Sequence, residues 1–461
     1  MAMDKIRLGV APTKRAFLSM EEAKRQKDKF MAVIRSILPD KVEIIDIDDL
    51  CENGILFQTD KIPAVVEKFR AANIDALFTP HCDFGEEQCA AGVAAQMKVP
   101  TLLWGARDER PNTDVGRGRD TQCGMFACSK VMRRFGVQYS YIWNCETESE
   151  DFRNGFDAFI RVVSVIKTVR TLRVAKFGAR PVPFMSVMAN EAELATKFGI
   201  TTVPISPTAI AKRADQILAD NGEELQNYYN DILARIDTSA TQPEQVQRIA
   251  AVTLATKQLM LENRCSVGAM ECWSATPIIG VPICMTLGEL ADAGLPISCE
   301  TDLNGAVTLA ILRAITLGDE AEFLADLTIR HPENDNAELL WHCGPFPYSL
   351  KDPDSKARLV GGQERWALKK GDITVTRFDD IDGEYYLFGG EGKAVDGPET
   401  TGTYVWFEAD NWKRWEEKLM FGPYIHHVGG AYGKYKKVLR EAARYLGLKF
   451  DDASEQGTYS L

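Results

Sequence analysis

The chain is poor in histidine. Among 461 residues there are five, His81, His331, His342, His426 and His427, so any imidazole ligand to a metal must come from that set. Positive charge is also in deficit: 54 Lys and Arg against 66 Asp and Glu leave a net charge of −12. Such a surface repels phosphate backbones and anionic lipid, which argues against nucleic acid and membranes as partners. No apolar run reaches membrane-spanning length, because Arg313 interrupts the best candidate. The opening MAMDKIRLGV lacks the basic-then-apolar build of a signal peptide, so a cytoplasmic protein is expected. There is no C-x-x-C pair either. Eleven dispersed cysteines, an odd number, suit reduced thiols better than a disulfide framework. Cys123 and Cys128, on one expected helix, make a poor metal pair. Internal repeats and low-complexity segments are lacking.

What is present is a soluble globular composition, 45% hydrophobic and 26% charged, on a chain long enough for two or three domains. In the first third, strand-like runs at 6–10, 42–47, 76–79, 101–104 and 137–143 alternate with helical patterns. That alternation predicts a doubly wound parallel sheet. Its loops carry Lys14 and Arg15, then His81 and Asp83, then Gly116-Arg-Gly118. The last is weak evidence for phosphate, since the spacing of a dinucleotide fingerprint is missing. A long helical pattern over 148–171 leads to a second α/β unit. Beyond about residue 347, short β-type runs alternate with Gly and Asp turns, and a single amphipathic helix closes the chain. The expected fold is therefore two doubly wound parallel-sheet α/β domains, 1–170 and 171–346, followed by a small antiparallel β domain, 347–461.

The stretch 296–344 organises the rest. A short apolar run ends at Glu300, a nearly all-apolar helix follows over 303–317 with Gly318 as its stop, and a second apolar run carries Asp326. Strand, helix and strand predict a right-handed parallel crossover, which brings acids near the strand ends together. Two adjacent carboxylates repel unless a cation sits between them, and His342 on the next apolar run can join. The competing reading of each acid alone is a helix cap for Glu300 and a surface ion pair for Asp326. Oxygen ligands with imidazole suit Mn²⁺, with Co²⁺ or Mg²⁺ as substitutes. Near the C-terminus, His426 and His427 precede glycines that leave little bulk around them. Glu271 and Trp273 read either as residues bordering the acid and histidine site or as a capping acid next to a core tryptophan.

These residues resemble the L-fucose/L-arabinose isomerase family. Cys299-Glu-Thr-Asp-Leu-Asn-Gly305 is similar to the T-E-N-D-V-L-N-G signature of fucose isomerases, one residue shorter. That likeness gives Glu300 the role of a metal ligand. Leu324-Ala-Asp326 is similar to their F-S-D setting, and Tyr432-Gly433, counted back five positions, places the family's metal-binding histidine on His427. An arabinose-isomerase stretch matches 326–342 without gaps and makes His342 a candidate fourth ligand, although its glutamate falls on Ala325. Trp104-Gly105 and Glu109-Arg-Pro111 are similar to the W-G and E-R-P of fucose isomerases. In Thr79-Pro-His-Cys-Asp-Phe-Gly85, Cys82 stands where fucose isomerases have a tryptophan that packs on the sugar of a neighbouring subunit. With His81 and Asp83 beside it, this implies a more polar lid, and Lys14 and Arg15 resemble the basic loop that reaches a neighbour's site.

The resemblance implies a divalent-metal-dependent aldose–ketose isomerase working through an enediol, on a pentose, a 6-deoxyhexose or a C6-modified hexose. Glu300 and Asp326 would move protons, and a homo-oligomer, a trimer or hexamer with shared active sites, is implied. Two other functions remain open: a metal-dependent sugar lyase or aldolase using the same enediolate, and a non-catalytic sugar-binding protein.

Overall fold

A computed structural model of the chain describes residues 4–111 and 118–457. The polypeptide forms two units that divide between Ser164 and Val165, inside the long helix Glu150–Arg170. Gly116 and Arg117 of the glycine-bearing loop lie outside the described residues. Among the described residues no helix is long and apolar enough to cross a membrane.

In the first unit, β1 (Ile6–Val10), β2 (Val42–Ile45), β3 (Ala76–His81), β4 (Thr101–Gly105) and β5 (Tyr139–Tyr141) form the expected parallel sheet, in the order β2-β1-β3-β4-β5. Strand order reverses between β1 and β3, where such sheets open a crevice at their carboxyl ends. Helix Met20–Ser36 starts at Ser19, whose hydroxyl accepts the Glu22 N–H, and its first turn carries Glu21 and Glu22 against the positive end of the helix dipole. The helix buries Phe30 against Phe78 and Trp104, and Trp104 sits 4.2 Å, centroid to centroid, from Phe152. The tryptophan of the W-G pair is thus a core residue.

The second unit begins with a four-stranded parallel sheet of β6 (Arg173–Phe177), β7 (Thr201–Ile205), β9 (Val267–Met270) and β10 (Ile297–Ser298), in the order β10-β9-β6-β7. β8 (Asp237–Ala240) belongs to another, ten-stranded sheet. That sheet also holds β11 (Phe323–Arg330), β12 (Ala337–His342), β13 (Arg358–Val360), β14 (Gln363–Ala367) and β15 (Asp372–Ile381). Its remaining strands are β16 (Glu384–Val395), β17 (Thr403–Ala409), β18 (His427–Tyr432) and β19 (Lys449–Asp452). It is largely antiparallel, as expected. A further β16–β17 pairing closes β15, β18, β11, β12, β17 and β16 into a ring.

The crossover expected over 297–329 does not form. β10 ends in the four-stranded sheet, whereas β11 runs antiparallel to β12 and β18 in the large one. The helix between them, Leu303–Ile315, explains the difference: its side chains are buried on all faces except at Arg313, so it needs cover on two sides. It touches β9 and β10 on one side and β15 and β18 on the other, and the chain leaves it into a second sheet. Sheet membership therefore runs across the expected boundary at 346. The helix ends two residues before the expected Leu317, and Leu317 itself takes the left-handed turn, φ 56°, with Gly318 following at 71°.

The sequence assigns no strand to the stretch after His426, yet His427–Tyr432 is a fully buried central strand. A Cβ on Gly429 would lie 2.5 Å from Leu312, and one on Gly430 would lie 2.3 Å from Phe323. The glycines let the helix and a neighbouring strand close on β18. A second helix, Trp412–Phe421, capped by Asn411, precedes the closing helix Lys436–Leu446.

Candidate metal centre

Glu300 follows β10 in a left-handed backbone conformation, φ 52°, and Thr301 repeats it at 55°. Such positions cost about 1–3 kcal/mol each for non-glycine residues and mark segments held by their surroundings. The helix cap falls to Asp302, whose carboxylate accepts the Gly305 N–H at 2.8 Å. Relieved of capping, Glu300 turns its side chain inward. Asp326 lies on β11 directly across from His427 on β18, and β12, on its other side, ends at His342.

These four side chains converge. His427 Nε2 stands 3.3 Å from Asp326 Oδ1 and 3.6 Å from Glu300 Oε2, and His342 Nε2 is 3.9 Å from both carboxylates. Glu300 Oε2, Asp326 Oδ1 and His342 Nε2 are buried without a hydrogen-bond partner. Orphaned buried polar atoms are costly, and like-charged oxygens facing one another more so. A divalent cation satisfies the two carboxylate oxygens together, and with the His427 imidazole the donor set suits a hard or borderline ion. The residues fit the metal that the sequence implied.

The two imidazoles are prepared differently. His427 Nδ1–H donates to Asp302 Oδ2 at 2.9 Å, which leaves the Nε2 lone pair facing the cluster. Asp302 is in turn gripped by Arg377, which also binds Asp379 at 2.8 Å. This network is fully buried. Burial would raise the Asp302 carboxyl, but the Arg377 guanidinium and His427 hold it well below the usual carboxylate range. Burial likewise would lower His427, and the bond to Asp302 raises it instead. His342 Nδ1 accepts the Cys343 backbone N–H at 2.9 Å, so its neutral ring carries the proton on Nε2. Burial is overcome there by the Cys343 thiol and the Asp326 and Glu300 carboxylates, which push His342 up to about 9.

An aromatic row borders the cluster. Trp273, half exposed, stacks on Phe184 at 6.0 Å, and Phe184 stacks on His426 at 5.6 Å while presenting its face or edge to His427. Glu271 does not reach the cluster: it accepts the N–H groups of Ser274 and Ala275 and the Ser274 hydroxyl, capping a short helix. Sequence reasoning missed Asp302, Arg377 and Phe184, and noted His426 only as the neighbour of His427. Asp302 alone left a signal, a capping residue placed directly before an apolar helix.

The other four candidates belong to the first unit and form a separate cluster at the ends of β1 and β3. Asp83 Oδ1 accepts the N–H of Arg15 at 2.8 Å and of Gly85 at 2.9 Å, and His81 Nδ1 meets the Phe84 carbonyl at 2.8 Å. Lys14 is buried, with its ammonium on the Arg15 and Ala16 carbonyls. Arg15 pairs with Glu86 at 3.2 Å and lies over the Phe84 ring. Burial pushes His81 down to about 4 and raises the Asp83 carboxyl and the Cys82 thiol.

Known families and proteins resemble this chain. Residues 9–170 match the family described as fucose/sulfoquinovose isomerase, N-terminal domain, and residues 361–454 match L-fucose isomerase, C-terminal domain. Curated relatives include the sulfoquinovose isomerase of Priestia megaterium, 24% identical over 86% of this chain and 89% of that protein. The sulfoquinovose isomerase of Alkalicoccus urumqiensis is 26% identical over 70% of this chain and 73% of its own length. Among solved structures, an ABC transporter periplasmic solute-binding protein from Actinobacillus succinogenes 130z aligns with a TM-score of only 0.17, at 12% identity, over 68% of this chain and 92% of that one, a likeness that carries no argument. With family models matching at both ends, the chain belongs to the fucose isomerase-like family of sugar aldose–ketose isomerases.

Proposed function

We propose that the chain is a divalent-metal-dependent aldose–ketose isomerase whose metal is held by Glu300, Asp326 and His427. The supporting observation is the convergence of partnerless buried atoms from Glu300, Asp326 and His342 beside the preset Nε2 of His427. Mn²⁺ is the proposed ion, with Co²⁺ or Mg²⁺ as substitutes. When bound, it supplies positive charge against the two oxygens on the reacting carbons. Glu300 and Asp326 jointly carry the proton between C1 and C2 of the open-chain sugar and manage the hydroxyl proton. His342, with its proton on Nε2, donates toward substrate oxygen, and it becomes a fourth ligand only by moving that proton to Nδ1. Asp302 keeps His427 in its ligating tautomer. Trp273, Phe184 and His426 supply an apolar wall for the sugar.

Of the open substrate classes, a hexose modified at C6 is favoured, because the curated relatives carry the name of a sugar with a sulfonate at that carbon. The polar loop of His81 and Asp83, with Lys14 and Arg15, is assigned to substrate selection. Turnover is assigned to a homo-oligomer, a trimer or hexamer with active sites shared between copies. The test incubates Mn²⁺-loaded protein in D₂O with L-fucose, L-arabinose, D-arabinose and 6-sulfonated hexose, removes the protein, and reads the sugars by proton NMR. Aldose–ketose interconversion with deuterium at the exchanged carbon, abolished by EDTA, is the expected result. Carbon–carbon cleavage, or turnover indifferent to EDTA, overturns the proposal.

A further inference from the structure

A second set of metal-binding atoms adjoins the first and shares one residue with it. β9 and β10 run parallel, with Gly268 beside Ile297 and Ala269 beside Ser298, so the residues just after each strand are neighbours. This juxtaposes two cysteines far apart in sequence: Cys272 Sγ lies 3.4 Å from Cys299 Sγ and 3.5 Å from Glu300 Oε1. The three donor atoms of Cys272, Cys299 and Glu300 all lie within 4.8 Å of one another. Around a tetrahedral Zn²⁺ with Zn–S of about 2.3 Å and Zn–O of about 2.0 Å, sulfur–sulfur and sulfur–oxygen edges are about 3.8 and 3.5 Å. The two edges that meet at Cys272 thus have nearly the lengths found on one face of such a site. Cys272 is partly open to solvent, which provides entry, while Cys299 is buried.

Glu300 divides its two oxygens. Oε2 faces His427 and His342, while Oε1 faces the thiols. Consecutive left-handed residues, Glu300 and Thr301, hold the carboxylate between them. We infer that Cys272, Cys299 and Glu300 Oε1 form a second cation site, selective for thiophilic ions such as Zn²⁺ or Cd²⁺, with water as the fourth ligand. Thiolate donors favour soft and borderline ions, whereas the oxygen–imidazole set accepts Mn²⁺ or Mg²⁺, so the two sites sort cations by chemistry. Binding converts two thiols to thiolates, releases two protons and changes no oxidation state. Because Glu300 is common to both, a soft ion in the second site draws the carboxylate from the first and inhibits turnover. Only this last consequence rests on the function proposed above; the binding itself does not.

The test titrates the reduced, metal-stripped full chain with Co²⁺ and records its spectrum. The expected result is a near-ultraviolet thiolate-to-cobalt charge-transfer band, bleached by Zn²⁺, accompanied by release of protons. The band is lost in Cys272→Ser and in Cys299→Ser and kept in Cys284→Ser, whose thiol lies 3.3 Å from Cys343 in a different pair. On the unaltered protein, Zn²⁺ should slow iodoacetamide labelling of Cys272 at least tenfold, read by peptide mass spectrometry, which covers the case of a variant that does not fold. No charge-transfer band from protein whose thiols count as free, or a band that survives in Cys272→Ser, overturns the inference. If the thiolate band appears but metal-stripped protein offered Mn²⁺ alone binds none, that result counts instead against the proposed isomerase centre, so the two failures are told apart.

Discussion

The molecule contains two buried polar clusters of opposite design. Around Glu300, acidic and imidazole atoms point at one another across 3.3–3.9 Å and three of them lack partners. Around Asp83, the backbone answers Asp83 Oδ1 through the N–H groups of Arg15 and Gly85 and Lys14 through two carbonyls, while Asp83 Oδ2, His81 Nε2 and Thr13 Oγ1 lack partners without facing a second carboxylate of the cluster. The first cluster is drawn from three strands and a strained turn in distant parts of the sequence, and without a cation it is electrostatically unfinished. The second arises from two loops and mainly fixes their shape. Burial of polar residues is therefore a poor guide to chemistry; what separates the clusters is where the unsatisfied atoms point.

The sharpest way to break this contrast is Glu300→Gln. The amide keeps the volume but removes the charge that Oε2 offers, so turnover should fall at least ~10³-fold, the scale of losing a group that acts in the transition state. Bound Mn²⁺, measured by elemental analysis after gel filtration, should fall with it while circular dichroism is retained. Full activity in this variant removes Glu300 from the centre. Next in size is Asp302→Asn, aimed one step behind the cluster. Loss of the carboxylate that orients His427 should weaken Mn²⁺ binding about 10–100-fold. It also leaves Arg377 buried without its main counter-charge, which costs about 3–5 kcal/mol and appears as a lower melting temperature. Glu in place of Asp302 restores the charge, so Asp302→Glu should recover part of both losses. If Mn²⁺ affinity is unchanged in Asp302→Asn, the tautomer of His427 is set by something else.

Much of this was legible in the sequence, and the parts that were not have a common cause. The parallel sheet of the first unit was plain because each strand is an apolar run followed by a helix with its own start and stop signals. Glu300 and Asp326 could be singled out as acids on apolar runs, but the reason offered, a shared crossover, was wrong. They meet because Leu303–Ile315 is covered by two different sheets, and a pairing between sheets leaves no periodicity in either strand. β18 was hidden for the same reason: Val428-Gly-Gly-Ala431 reads as a turn until Leu312 and Phe323 are known to fill the space above the glycines. A change of Gly430 to Ala tests that directly. Its Cβ would enter the Phe323 ring, and overpacking of this kind costs about 1–3 kcal/mol, read as a fall in melting temperature with no change in metal stoichiometry.

The smallest effect separates the clusters by pH, because their histidines are shifted in opposite senses. His81 is lowered to about 4 by burial, against an unfolded value near 6.5. Its folded form binds the proton less readily than the unfolded chain, so its contribution is full above about pH 6.5 and is lost as pH falls toward 4. Between pH 6.5 and 5 this amounts to about 2 kcal/mol. His342 is raised to about 9, so its contribution in metal-free protein is full below about pH 6.5 and is lost as pH rises through 9. Mn²⁺ affinity should climb over the same alkaline range, because loss of the imidazolium charge removes repulsion from the cation. In differential scanning calorimetry from pH 5 to 7, His81→Gln should flatten the acid limb of stability while leaving Mn²⁺ affinity at pH 8 unchanged. An acid limb that survives His81→Gln would assign it to paired carboxylates instead, and a change in Mn²⁺ affinity would mean that the two clusters are not independent.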